Sequence, residues 1–183
     1  VDVGIIEVGM GGRFDATNVL NGPVVCGITS LALEHAGILG PTIRDIAWHK
    51  AGIIKPHAPV FSVQQALHPE LQEVIEKEAQ MNDSPLAFVN KNDWIPSTWK
   101  LGISGQHQAD NAALACALAS QWISLRRPEM AISRDDLKSS LQNVTWPGRQ
   151  QIISVNPELT LFLDGSHTVE SISATATWFM QSK

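Results

Sequence analysis

The chain has 183 residues, 44% hydrophobic and 17% charged, with a formal net charge of −5, a composition that fits a globular protein of one domain plus part of another. Apolar stretches such as Gly22 to Leu33 are broken by Pro, Thr and Ser well short of the ~20 residues that span a bilayer. The 13 basic residues are dispersed rather than clustered, which argues against a nucleic-acid partner. Cys26 and Cys116 lie in apolar surroundings without Cys-x-x-Cys spacing and read as buried thiols of a reducing compartment. Val1 falls in mid-strand, there is no initiator Met, and Lys183 follows a helical pattern. The chain therefore reads as a piece of a longer protein.

The run Val1 to Val8 is apolar and β-prone apart from Asp2 and Glu7, which predicts a first strand. Gly9, Gly11 and Gly12 then let the backbone turn sharply, so Glu7 and the following loop reach a strand's C-terminal edge, where open parallel sheets gather ligands. Val24 to Leu31 is a second strand, Thr42 to Ile53 a helix, Pro59 to Val63 a short strand and Pro69 to Met81 an amphipathic helix. A looser section from Asn82 to Gly105 reads as strand or loop. Asn111 to Trp122 is an Ala- and Leu-rich helix, and another helix starts at Ser133, which supplies its N-cap. Gln150 to Val155 and Thr160 to Leu163 are strands joined by a turn at Asn156-Pro157, and a final helix follows Asp164-Gly165-Ser166-His167-Thr168. The alternation implies a mainly parallel α/β sheet, and Trp146-Pro147-Gly148 interrupts both patterns as a domain boundary.

Five segments carry candidate chemistry. Glu7 precedes the loop Gly9-Met10-Gly11-Gly12-Arg13-Phe14-Asp15-Ala16-Thr17-Asn18; the alternative is a plain turn with Glu7 solvated and Asp15 capping a helix. His35 follows the second strand and emerges at the same sheet edge as Glu7, although a lone histidine there is more often a hydrogen-bonded loop residue. His49-Lys50-Ala51-Gly52 ends a helix, where a lysine commonly complements the helix dipole. Gly105-Gln106-His107-Gln108-Ala109-Asp110-Asn111 opens the Ala-rich helix with amides and free backbone donors, as a purine or phosphate site needs, or with ordinary capping by Asp110 or Asn111. Pro147-Gly148-Arg149 and Asp164 to Thr168 offer a cation, a carboxylate and an imidazole around a short β unit.

In this order and spacing the five segments resemble the folylpolyglutamate synthases, members of the Mur ligase superfamily of ATP-dependent amide-forming enzymes. Asp164-Gly165-Ser166-His167-Thr168, followed by Glu170-Ser171 and Trp178-Phe179, is similar to the eukaryotic branch. The resemblance implies an α/β fold. Residues 1–146 would form the C-terminal portion of a central ATPase domain, with a mainly parallel sheet and flanking helices. Residues 147–183 would begin a Rossmann-like C-terminal glutamate ligase domain.

It also implies the site. Glu7 and His35 match magnesium ligands, and Lys50 matches a catalytic lysine carbamylated in many superfamily members, whose anionic oxygen would ligate a second Mg²⁺. Asn111, Arg149 and Asp164 match contacts to the adenine, phosphate and ribose of ATP, and His167 falls near the γ-phosphate and incoming glutamate as a second catalytic residue. Arg13, Asp15 and Asn18 border the family's folate site.

The implied reaction adds L-glutamate to the γ-carboxylate of a reduced folate through an acyl phosphate. Its partners are reduced folate, ATP and L-glutamate, with room for a monovalent cation, in a monomer of the cytoplasm with a mitochondrial pool. Two departures stand out. No Gly-Lys-Ser phosphate loop occurs in the 183 residues, so the isolated chain is expected to be an inactive fragment, and Glu34 stands where the family has Asp. The alternatives are a truncated paralogue that binds without catalysis and a Mur-type ligase for another amino acid.

Overall fold

The computed structural model describes residues 2–167 and 169–182, with the main chain only at Gln106 and Glu170. The chain divides into two compact units: residues up to Asn90 together with Leu114–Met130, and Lys91–Ala113 together with the residues from Ala131 onward.

In the first unit, β1 (Cys26–Ile28), β2 (Val60–Val63) and β3 (Leu86–Val89) form a parallel sheet in that order. Cys26 pairs with Val60, and Val60 with Leu86. Parallel neighbours need crossovers, and the chain supplies them with α2 (Ile43–Ala51), preceded by the single turn α1 (Ala36–Leu39), and with α3 (Glu70–Met81). Thr42 starts α2 through a reciprocal capping box with Asp45, and Gly52 ends it. Leu71, Ile75 and Ala79 bury one face of α3 against Cys26, Ile28, Ala47, Ala51 and Val60. Fully buried Ile46, Leu71 and Ile75 each contribute about 2 kcal/mol relative to exposure. The two cysteines are buried and unpaired, and burial pushes both thiols up.

The second unit holds α4 (Lys91–Trp94), the residues to Ala113 of α5 (Gln106–Arg126), α6 (Arg134–Asn143), and a hairpin of β4 (Gln151–Asn156) and β5 (Leu159–Leu163) followed by α7 (Val169–Gln181). The hairpin runs from Gln151 opposite Leu163 to Asn156 opposite Leu159. Phe162 meets Trp178 and Phe179 of α7 edge-on, with centroids 5.6 and 4.9 Å apart.

Two expectations change. Asp2 to Val8 pairs with no strand among the described residues and leaves Val3, Ile5 and Ile6 exposed; strand-forming composition yields a strand only where a neighbour completes the ladder. Val1 lies outside the described residues. Helix α5 begins at Gln106 rather than Asn111, because Gly105 at φ 111° turns the chain into it, so Asp110 and Asn111 lie inside the helix and do not cap it. The section that reads as strand or loop holds the strand β3, whose four residues are too few to reveal a period by themselves. Ser133 caps α6 as expected, in a capping box with Asp136.

Candidate functional site

The glycine-rich loop is fixed by its own side chains. Asp15 accepts from Thr17 Oγ1 at 2.7 Å and from the amides of Thr17 and Met10, each at 2.9 Å. These bonds, the Thr17 hydroxyl foremost, hold its carboxyl at about 2. Arg13 donates its backbone N–H to His49 O and lies 4.0 Å above the Trp48 ring. Its guanidinium reaches Glu78 of α3 at 2.5 Å, where Glu78 is 7% exposed. Asn18 donates to Arg13 O and Gly52 O, and Lys55 donates to Asn18 O. Gly52 is required at this joint, since a Cβ there would come within 2.8 Å of Arg13 Cα. Arg13 and Asn18 therefore dock the loop on the end of α2, while Asp15 fixes the turn inside the loop.

Glu7, His35 and Lys50 belong to one unit, but Glu7 does not close a strand of its sheet as expected, because the stretch before the loop pairs with none of β1, β2 and β3. Glu7 is exposed in the unpaired stretch before the loop. His35 is exposed and N-caps α1 with left-handed backbone at φ 54°. The loop leading to it is fastened by Gln65, 3% exposed, which accepts from Leu31 N at 2.9 Å and donates to Thr29 O at 3.2 Å. Lys50 stands in the last turn of α2, and its Nζ lies 3.2 Å from Glu34 Oε1. As an ammonium it is paired; as a carbamate it would face Glu34 as a second anion, a juxtaposition that a cation between them would offset.

In the second unit Asp164 is the organiser. Burial works against its charge, but bonds from Gln150 N at 2.8 Å, Thr175 Oγ1 at 2.9 Å and Ser166 N at 2.9 Å outweigh this and hold its carboxyl below the usual range. Arg149 lays its guanidinium across Gly165, where a Cβ would come within 2.7 Å of Nη1. His167 Nδ1 is 2.9 Å from Gly165 O; a carbonyl only accepts, so Nδ1 carries a proton, and in the neutral ring Nε2 is the acceptor. Thr168, the last residue of that motif, lies outside the described residues. Asn111, in the first turns of α5, donates to Gln108 Oε1 at 3.2 Å.

Arg149, Asp164 and His167 thus lie around one turn of the second unit, whereas Glu7, His35 and Lys50 belong to the first. Glu78 went unnoticed in the sequence, although a carboxylate three residues after Ile75, on the buried face of α3, is a visible sign. Gln65 and Gln150 gave no such signal. Among the described residues no three His, Cys, Asp or Glu side chains gather to hold a metal. Glu7 and His35 thus build no protein-only cage. The Glu7 carboxylate fits magnesium in its usual company of waters and substrate phosphates, whereas the His35 imidazole is a softer donor than that ion prefers.

No family model matches the chain. It is 43% identical over 195 residues to the folylpolyglutamate synthase of Candida albicans, covering 99% of this chain and 38% of that protein. Identity to the mitochondrial folylpolyglutamate synthase of Cricetulus griseus is 37% over 207 residues, covering 100% and 34%. A solved FPGS–AMPPCP–folate complex superposes with a TM-score of 0.80 at 28% identity, over 97% of this chain and 47% of that one. The chain is an α/β protein matching part of the folylpolyglutamate synthase fold. It is a homologue of the folylpolyglutamate synthases and spans about a third of their length.

Proposed function

We propose that this chain forms part of an ATP-dependent ligase that adds L-glutamate to the γ-carboxylate of a reduced folate. The observation that carries this reading is the turn in which Arg149 lies across Gly165 beside Asp164, in a chain with 43% identity to a folylpolyglutamate synthase over nearly its whole length. The superposition on a complex with AMPPCP and folate supports the same substrate pair.

A carboxylate oxygen of the folate attacks the γ-phosphorus of MgATP and expels MgADP. The amine of glutamate then attacks the acyl carbon, phosphate leaves, and the amine proton is lost. Arg149 neutralises phosphate charge through its planar donor fork. Asp164 serves the ribose, Asn111 the adenine, and His167 Nε2 the side of the incoming amine. Glu7 and His35 are the residues that would hold a magnesium arriving with ATP, which would supply charge neutralisation at the phosphates, and Lys50 would add an anionic oxygen if carbamylated. In this reading residues 1–146 and 147–183 are the parts of the central and C-terminal domains, and the protein belongs to the cytoplasm with a mitochondrial pool. No helix of the described residues is long and apolar enough to cross a membrane.

The test is glutamate-dependent ADP formation with tetrahydrofolate and MgATP, using the polypeptide that carries these residues in full. Arg149→Ala is expected to lower kcat/KM at least about a hundredfold, the scale of one lost charge-stabilising donor. ADP formation that ignores glutamate or folate would overturn the reading.

A further inference from the structure

Gln150 combines three features that its neighbours do not share. It is a non-glycine residue with left-handed backbone, φ 44°; it is 8% exposed; and its side-chain Oε1 is a buried acceptor without a hydrogen-bond partner among the described residues. An unsatisfied buried acceptor is costly, and unusual backbone conformations persist where surrounding structure enforces them, commonly at ligand sites. Here the enforcement is visible, because Asp164 Oδ2 accepts from Gln150 N at 2.8 Å.

The amide lies against the turn that leads into α5. A Cβ on Gly105 would come within 2.9 Å of Gln150 Nε2 and 3.2 Å of Oε1, so the glycine leaves room for the amide. Gly165 does the same for the preceding residue, Arg149. Two consecutive side chains, one cationic and one an unpaired acceptor, are thus each seated against a glycine, with Asp164 holding the backbone of the second.

We propose that Gln150 is a base-selecting residue of this site, its Oε1 accepting a hydrogen bond from the exocyclic amine of an adenine base. The inference rests on the nucleotide reading above and adds specificity to it. An acceptor distinguishes a 6-amino purine, which donates there, from a 6-oxo purine, which presents a second acceptor. With the amide kept in the orientation in which it is seated against Gly105, a ligand of the second kind leaves two acceptors opposed, and so is rejected more strongly than one lost bond implies.

The experiment measures binding of AMP and IMP, which differ at this substituent, to the chain and to Gln150→Met by ligand-observed NMR. Met matches the length of Gln and lacks the amide; amide NMR spectra check that it folds. The unsubstituted chain is expected to prefer AMP by about tenfold or more, the equivalent of one hydrogen bond, and Gln150→Met to bind both alike. Equal binding of AMP and IMP by the unsubstituted chain, a result that needs no variant, overturns the proposal and leaves the nucleotide reading standing. So does a preference that survives in Gln150→Met, which would assign the acceptor to an ordered water. Failure of both nucleotides to bind overturns the proposal together with the nucleotide reading.

Discussion

Arg13 and Glu78, 65 residues apart in the chain, meet at 2.5 Å with Glu78 all but excluded from solvent. The pair ties the glycine-rich loop to α3, while the Arg13 backbone and the face of its guanidinium tie the loop to α2. A loop that sequence alone assigns to ligand binding therefore uses its one cation for its own placement.

Removing one partner of such a pair strands the other, and this costs more than the pair itself contributes. Glu78→Gln is expected to destabilise the chain by about 2 kcal/mol, read as a lower urea midpoint. Trp48, under the Arg13 guanidinium, should change its fluorescence in the native baseline. A midpoint unchanged with an unaltered Trp48 signal would show that the contact carries no load.

The Asp15 bonds predict a pH dependence with a definite sign. Its folded carboxyl titrates at about 2, below the ordinary carboxylate value of 3.8, so its ionised form favours the folded loop above the unfolded value. That contribution is lost as pH falls from about 4 through about 2. A carboxyl-detected NMR titration should place the Asp15 midpoint near 2, and Thr17→Val, which removes the largest cause, should raise it. A midpoint at the ordinary carboxylate value would mean that the loop opens in solution.

Gly52 supplies a packing test in which two effects oppose each other. Its helical backbone would ordinarily gain from alanine, but the added Cβ would collide with Arg13. Gly52→Ala should therefore destabilise by about 1–3 kcal/mol. Gly37→Ala, with nothing within 4 Å of its Cβ, should be neutral or stabilising. Reversal of that order in thermal unfolding would mean the loop is not seated at this joint.

Lys50 separates two chemistries. If it acts as a magnesium ligand, ¹³C-bicarbonate with Mg²⁺ and nucleotide should produce a carbamate resonance that Lys50→Arg abolishes. In the full polypeptide, Lys50→Ala should then regain activity with added short carboxylates. A lysine that stays unmodified under those conditions keeps only its ion pair with Glu34.

The sequence by itself determined the alternation of elements, because helix and strand periods, capping residues and turn residues act over a few positions: Thr42, Ser133 and the Asn156-Pro157 turn fall where local chemistry puts them. It also marked Arg149 and Asp164 as neighbours of one β unit. Tertiary structure decided what depends on partners far along the chain. Asp2 to Val8 has strand composition without a ladder, since pairing is a property of two segments. Arg13 became a structural cation because α3 brings Glu78 to it, and Gln150 became a buried acceptor because Asp164 fixes its backbone and Gly105 leaves space for its amide. Such roles arise from burial and long-range contact, which no local pattern of residues encodes.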